Sequence, residues 1–274
     1  MDKETGDDMR VSVLASGSTG NMTYIETDQV KLLVDCGFSG KKAQELLAKI
    51  NRKPDDLDGI LVTHEHNDHI KGVGVLSRKY DLDIYANEET WQAMGKKIGK
   101  VDPAHQHHFF KDQTKIFQDL DVSSFGVSHD AANPQFYSFQ KANKRFVILT
   151  DTGYVSDRMR AYLKNADAYL FESNHDLSLL RMGRYPWPLK QRILGDKGHL
   201  SNEDSALALS EIVGDKTRNV FLGHLSLENN MKNIAHATAE EILDQKDTGV
   251  NYQYELHDTD PVSYTHLTLP TICS

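Results

Sequence analysis

Cysteine is almost absent from this chain. Cys36 and Cys273 are the only two in 274 residues, too few for a disulfide framework. Long hydrophobic runs are missing as well: nowhere do 18 apolar residues follow one another, so no membrane-spanning helix is expected. Met1 to Arg10 is polar and acidic and has no apolar stretch of the kind a signal peptide needs. These absences predict a cytoplasmic protein. Positive charge is in short supply too. A net charge of −9 and a pI near 5.8 disfavour a broadly basic nucleic-acid binder. There is no internal repeat, no low-complexity tract and no Pro/Gly/Ser-rich linker, which leaves one domain as the expectation. The 39% hydrophobic and 26% charged content excludes a disordered, collagen-like or coiled-coil chain. Histidine, with 13 residues, is what stands out, because several lie beside aspartates.

Short apolar runs bounded by Gly, Asn or Asp read as strands. They cover 10–15, 22–26, 31–34, 59–63, 83–86, 122–127, 135–140, 145–150, 168–172 and 219–222. Helical periodicity covers 41–50, 73–79, 88–95, 157–165, 202–213 and 231–243, and Ser201 followed by Asp204 resembles a capping box with Asp in place of Glu. Strands with interspersed helices predict a layered α/β or α+β domain over 9–260. Residues 1–8 read as a flexible N-terminal extension. The stretch 261–274 is Thr-rich, nearly uncharged and without evident period. It reads as a non-native or disordered tail.

The chemistry is concentrated where the apolar run Gly59-Ile-Leu-Val-Thr63 meets His64-Glu-His66-Asn-Asp68-His69. A buried strand there opens into a loop carrying three histidines and an aspartate. Neutral imidazoles and carboxylates are the usual ligands of zinc and similar first-row metals. His64 and His66 can aim at one ion while Asp68 and His69 turn towards a second. Four more polar groups end apolar runs: Asp35, His129, Asp151 and His224. Open sheets place their sites at such carboxyl ends. Each of the four alone reads more simply as a strand terminator, but together with the histidine loop they complete two metal sites. Zinc, manganese and iron all suit the set. Two divalent ions would also gather four positive charges at one point, where an anionic substrate can use them.

Asp35, the His-x-His-x-Asp-His run at 64–69, His129, Asp151 and His224, in that order, resemble the motifs of the metallo-β-lactamase superfamily. The resemblance implies an αββα four-layer sandwich of the α+β class. It implies that His64, His66 and His129 hold one ion, that Asp68, His69 and His224 hold the other, that Asp151 bridges and that Asp35 orients a histidine ligand. It also implies a metal-bridging hydroxide as the nucleophile, since metal binding lowers the pKa of water from 15.7 to about 7. Asp68 would thus be catalytic as well as a ligand. Aspartate at 151, where many β-lactamases carry cysteine, argues against a β-lactamase.

Glu172, after a strand, and His199, in Gly198-His-Leu-Ser201, resemble the RNase Z-like phosphodiesterases. There the glutamate orients the histidine and the histidine protonates the leaving oxygen. The plain alternative is that Glu172 ends a strand and His199 caps a helix. Leu177 to Gly195 holds Arg181, Arg184, Lys190 and Arg192, no acid, and the interleaved rings of Tyr185 and Trp187. Arg and Lys suit phosphates, and exposed rings suit unstacked bases. The competing reading is an amphipathic loop with Trp187 packed inward. Pro186 and Pro188 argue against one long helix across it. His175 reads as a substrate contact or as a partner of Glu172. His105, His107 and His108 read as a solvated loop with no carboxylate in register, and His236, His257 and His266 as structural or exposed. Ser16-Gly-Ser-Thr-Gly-Asn21 reads as a tight turn near the metals, since it lacks the lysine of a nucleotide-binding loop.

Taken together, Ser16–Asn21, Glu-Ser-Asn-His-Asp, Arg-Met-Gly-Arg-Tyr-Pro-Trp-Pro-Leu, Gly-His-Leu-Ser-Asn and Gly-His-Leu-Ser-Leu-Glu-Asn resemble the WalJ/YycJ-type bacterial nucleases. That resemblance implies a 5′-to-3′ exonuclease acting on DNA ends. A small-molecule thioester or lactone hydrolase needs the same metal ligands but not the basic segment. A metal-holding protein without turnover is disfavoured by the intact ligand set.

Overall fold

A computed structural model describes residues 8–260 and 265–269, which fall into two units. The first takes the chain through Gly126, Ala131–Lys144 and the strand 265–269. The second takes Val127–Asp130 and 145–260.

In the first unit the chain runs β1 Met9–Ala15, β2 Met22–Glu26, β3 Lys31–Val34, α1 Gly40–Lys49, β4 Gly59–Leu61, α2 Asn67–Ile70, α3 Val73–Tyr80, β5 Asp83–Ala86 and α4 Glu88–Ile98. There follow β6 Gln106–His108, β7 Thr114–Phe117, β8 Leu120–Gly126 and β9 Gln135–Lys141. The second unit runs β10 Lys144–Leu149, α5 Asp157–Leu163, β11 Ala168–Glu172, α6 Leu177–Met182, α7 Trp187–Leu194, α8 Asn202–Ile212, β12 Asn219–Gly223, α9 Lys232–Gln245 and β13 Glu255–Asp258. The tail strand is β14 Thr265–Leu269.

The first unit holds a seven-stranded sheet ordered β14-β1-β2-β3-β4-β5-β6. Its β14–β1–β2–β3 part is antiparallel, and β3–β4–β5–β6 is parallel. Leu33, Ile60 and Ile84 of the sheet pack in one core with Leu46 and Leu47 of α1 and Leu76 of α3. Truncating a leucine in such a core costs about 2–5 kcal/mol. The helices start where a side chain can take an unpaired amide: Ser39 accepts from Lys42 N and Asn87 from Thr90 N. β7, β8 and β9 form an antiparallel meander in the same unit.

In the second unit β10, β11, β12 and β13 are parallel neighbours in that order. β10, β11 and β12 are nearly continuous apolar runs, as strands buried on both faces must be. Ser201 caps α8 by accepting from Asp204 N at 3.0 Å. Its hydroxyl also donates to the Asp204 carboxylate at 2.7 Å, so Asp204 answers the cap through the side chain rather than the backbone.

The periodic elements lie where the sequence puts them, within three residues at every end. Four strands escape it: β6, β7, β13 and β14. β6 is Gln-His-His and has no apolar face, so only its pairing with β5 makes it a strand. The tail is corrected at 265–269, which pairs antiparallel with β1, Val13 opposite Thr265 and Met9 opposite Leu269. An edge strand presents a row of free amides and carbonyls, and an uncharged Thr/Leu segment is a ready partner for it. The reading of 1–8 as an extension falls almost wholly outside the described residues, as do 261–264 and 270–274.

Candidate metal centre

The histidine loop in the first unit is braced from beneath. Thr63 follows β4 by two residues, and His66 stands at the N-terminus of the single turn α2. The His64 ring lies 4.6 Å from that of His66 and 4.1 Å from that of His69, centroid to centroid. Asp35, just after β3, is in the left-handed region at φ +60, which turns its carboxylate under the loop. Asp35 Oδ2 lies 2.7 Å from His69 Nδ1 and accepts from Thr63 Oγ1 at 2.8 Å, and Oδ1 accepts from Thr63 N at 2.9 Å. Thr63 Oγ1 is also 3.0 Å from His64 Nδ1. The inner nitrogens of His64 and His69 are thereby fixed, and their outer nitrogens face the other way.

The Ser16–Asn21 segment is a tight turn, Gly20 N donating to Gly17 O at 3.0 Å. Asn21 N donates to Asp68 O, and Asn21 Nδ2 lies 3.0 Å from His69 Nε2. A side chain at Gly37 would collide with the Asp68 carbonyl, its Cβ only 1.7 Å away, so this close approach requires glycine. Glu65 faces inward: Oε1 accepts from Ala132 N, and its carbonyl accepts from Lys97 Nζ. Asn21, Thr63 and Glu65 are positioning residues that sequence reasoning left without a role. The signal for Asn21 lay in the turn motif itself.

In the second unit the donors come from separate strand ends. Asp151 and His224 follow β10 and β12 and are left-handed at φ +56 and +55. Such conformations cost of order 1–3 kcal/mol each and gather at functional sites. Donor atoms of Asp151, Glu172, His199 and His224 all lie within 4.8 Å of one another. His224 Nε2 is 3.4 Å from Asp151 Oδ1, and His129 Nε2 is 3.7 Å from it. His129 Nδ1 lies 3.1 Å from the Gly198 carbonyl, which holds its proton on that nitrogen.

Glu172 is the hub of this cluster and is fully buried. Its Oε1 lies 2.7 Å from His199 Nδ1 and 3.0 Å from His224 Nδ1, and Oε2 accepts from Thr152 N at 2.8 Å. Burial alone would push its pKa up. The adjoining His199 and His224 outweigh that and hold the carboxyl ionised, well below the usual carboxylate range. Asn174 adds a bond to the His224 carbonyl at 2.9 Å.

The basic segment is corrected in two places. Lys190 is buried, and its Nζ donates to the carbonyls of Arg181 and Gly183, both at 2.7 Å. It is a staple across the α6–α7 corner rather than a phosphate contact. Arg192 is engaged with Asp130. Arg181 and Arg184 remain exposed, Tyr185 is half-buried and Trp187 is 60% exposed, so the inward-packed tryptophan is excluded. The segment forms two short helices with prolines at the second, as the proline spacing predicts.

His175 is 1% exposed and bonds neither Glu172 nor solvent, Nδ1 lying 3.3 Å from Asn174 Oδ1. Burial drives its pKa down to about 4, so it is neutral at pH 7. Its carbonyl accepts from Asn202 N at the start of α8. It is a structural residue, which corrects the substrate-contact reading. The solvated-loop reading of 105–108 is also corrected. His105 and His107 share Asp83 of β5, a partner that parallel pairing supplies from far upstream.

Both clusters fit a divalent first-row ion. They offer imidazoles whose second nitrogen is held by a carboxylate, hydroxyl or carbonyl, beside carboxylate oxygens. Among the described residues no helix is long and apolar enough to cross a membrane.

A family model described as the metallo-beta-lactamase superfamily matches residues 15–224, which run through both units. The exodeoxyribonuclease WalJ of Streptococcus pneumoniae is 59% identical over 261 residues, covering 94% of this chain and 97% of the relative. The exodeoxyribonuclease YycJ of Bacillus anthracis is 54% identical over 253 residues, covering 92% and 96%. Among solved structures, the metallo-beta-lactamase fold protein YhfI from Bacillus subtilis superposes with a TM-score of 0.71 at 18% identity, covering 95% of this chain and 99% of that one. That likeness shows the fold, the α+β class expected from the resemblance. With a family match over most of its length and relatives above half identity across nearly all of it, the chain belongs to the metallo-β-lactamase superfamily.

Proposed function

We propose that this protein is a metal-dependent exodeoxyribonuclease that degrades DNA from its ends, 5′ to 3′, in the cytoplasm. The observation that carries the reading is the 59% identity, over 94% of the chain, with a protein named an exodeoxyribonuclease. His64, His66 and His129 would hold one divalent ion and Asp68, His69 and His224 a second, with Asp151 between them. Zinc and manganese suit this set best, and iron is compatible with it. When bound, the ions supply a nucleophile at neutral pH and polarise the phosphoryl oxygen.

The chain's own residues do the rest. Asp35 and Thr63 hold His69 and His64 in one tautomer, which keeps the outer nitrogens basic. Glu172 does the same for His224 and also faces His199. It fixes the His199 ring through Nδ1, which leaves the other ring nitrogen to give a proton to the departing sugar oxygen. Arg181 and Arg184 bind phosphates of the strand being fed in, and Trp187 stacks on an unpaired base. Tyr185, half-buried beside them, lines the same corner.

The test is a side-by-side assay of one metal-loaded sample on end-labelled DNA and on thioester and lactone substrates. Processive release of nucleotides from the 5′ end is expected. Faster turnover of the thioester or lactone than of DNA would overturn the reading.

A further inference from the structure

We propose that the Asn21 side chain, beyond bracing the histidine loop, touches the substrate: its Nδ2–H donates to a non-bridging oxygen of the phosphodiester under attack, which makes Asn21 a catalytic residue. This rests on the reading of the centre as a phosphodiesterase. Every group it uses lies in the first unit.

The backbone fixes which end of the amide faces the loop. Gly17 N donates to Asn21 Oδ1 at 3.0 Å, and Asn21 Nδ2 donates to Gly17 O at 3.1 Å. A flipped amide would set oxygen against carbonyl and N–H against N–H, so the NH2 end is the one turned to the loop. The turn is wedged as well. Asn21 N donates to Asp68 O at 2.8 Å, and Gly37 N donates to Asn21 O at 2.9 Å. A side chain at Gly20 would run into the Phe38 ring. Asn21 is buried, so little water competes for its hydrogens.

The NH2 end is surrounded by ligand atoms. Nδ2 lies 3.0 Å from His69 Nε2 and 3.5 Å from Asp68 Oδ2, and those two atoms are 3.6 Å apart. Asp35 faces the same ring at Nδ1 and keeps the proton there, so Nε2 carries the lone pair. That lone pair and the Asp68 carboxylate are what the two residues would offer an ion. An amide nitrogen adds no lone pair to them and offers hydrogens only. One hydrogen is given to Gly17 O. The other points among the ligand atoms, where a lone pair shared with an ion is no longer an acceptor and Asp68 Oδ2 stands at the limit of hydrogen-bond distance. The acceptor that suits it is an oxygen brought by the substrate. A phosphodiester carries two non-bridging oxygens that share a negative charge, and a donor held in advance at such oxygens stabilises the transition state.

Full-length wild type and Asn21→Ala are loaded with Mn2+ and their ions counted by mass spectrometry. Both are then assayed on DNA whose terminal linkage is a phosphate or either phosphorothioate diastereomer. The ion counts should be equal, and kcat should fall about 10²-fold or more in the variant, the usual cost of one such donor. Sulfur is a weak acceptor, so one diastereomer should slow the wild type and leave the variant nearly unaffected. Inorganic phosphate, read without turnover, should raise the melting temperature of the loaded wild type more than that of the variant. Should Asn21→Ala fold poorly, Asn21→Asp keeps the Oδ1 bond to Gly17 N while removing the donor, and the same loss of sulfur discrimination is expected. An ion missing from Asn21→Ala, rescue of its rate by excess Mn2+, or equal sulfur discrimination in both proteins would overturn the proposal. A wild type inactive on DNA would instead break the nuclease reading, and equal phosphate shifts would then overturn the role of Asn21 as well.

Discussion

The two ligand clusters are built in opposite ways. In the first unit the donors are neighbours in sequence, and the support is distant: Asn21 and Asp35 reach the 64–69 loop from other strands. In the second unit the donors are scattered over strand ends, and one buried carboxylate, Glu172, supports two of the histidines at once. The difference teaches where each cluster is vulnerable. A loop carrying its own ligands can lose one brace and keep most of its shape. A cluster assembled around a single hub loses ligand orientation and proton chemistry together.

The largest expected effect comes from removing a donor outright. Asp68 lies in the single turn α2 with 25% of its side chain exposed, away from the core. Asp68→Ala should lower DNA hydrolysis by about 10³-fold or more, since a metal supplies several kcal/mol of transition-state stabilisation. Melting temperature should stay near wild type. Unchanged turnover with metal supplied would refute a mechanism using this ligand.

The sharper comparison is between the two braces. Asp35→Asn should weaken metal binding about 10–100-fold, the usual cost of losing a group that orients a histidine ligand, and excess metal should restore most activity. Glu172→Gln should lose metal affinity similarly. It should also retain a kcat deficit of about 10²-fold or more at saturating metal, because His199 loses the carboxylate that orients it as a proton donor. Titrating metal against rate in both variants separates them. Equal rescue would mean that Glu172 supports metal binding alone.

A smaller effect is expected at the α6–α7 corner, which belongs to neither cluster. Replacing both Arg181 and Arg184 with Ala should flatten the dependence of log affinity on log salt by roughly one to two units. Cleavage of a small chromogenic phosphodiester should change far less. Identical salt slopes in wild type and variant would remove these arginines from the strand path.

The smallest effect concerns one ring. Trp187→Ala should cost about 1–3 kcal/mol of binding to single-stranded ends if a base stacks there. At 60% exposure the ring contributes little to the core, so the melting temperature should hold. A large drop in melting temperature with unchanged affinity would reverse the assignment.

Much of this was legible in the linear chain, for a physical reason. Val, Ile and Leu runs ending in Asp35, Asp151 or His224 report a buried strand and the polar group at its end, and both signals are local. The histidine loop is local too, so residues 64–69 announced a metal before any fold was known. The carriers of the family resemblance, Glu172 and His199 among them, are short motifs and equally visible. What only the tertiary structure decided is every relation between distant residues. Lys190 reads as one more cation in a basic block until its burial turns it into a staple. His175 reads as a substrate contact or a partner of Glu172 until burial and Asn174 make it structural. β6 and β14 carry little or no periodic signal and exist because a neighbouring edge offers hydrogen bonds. Asp83 meets His105 and His107, more than twenty residues away along the chain, only once the chain is folded. Periodicity and motif are properties of neighbours along the chain, whereas burial, pairing and shared partners are fixed by contacts that the packed fold alone creates.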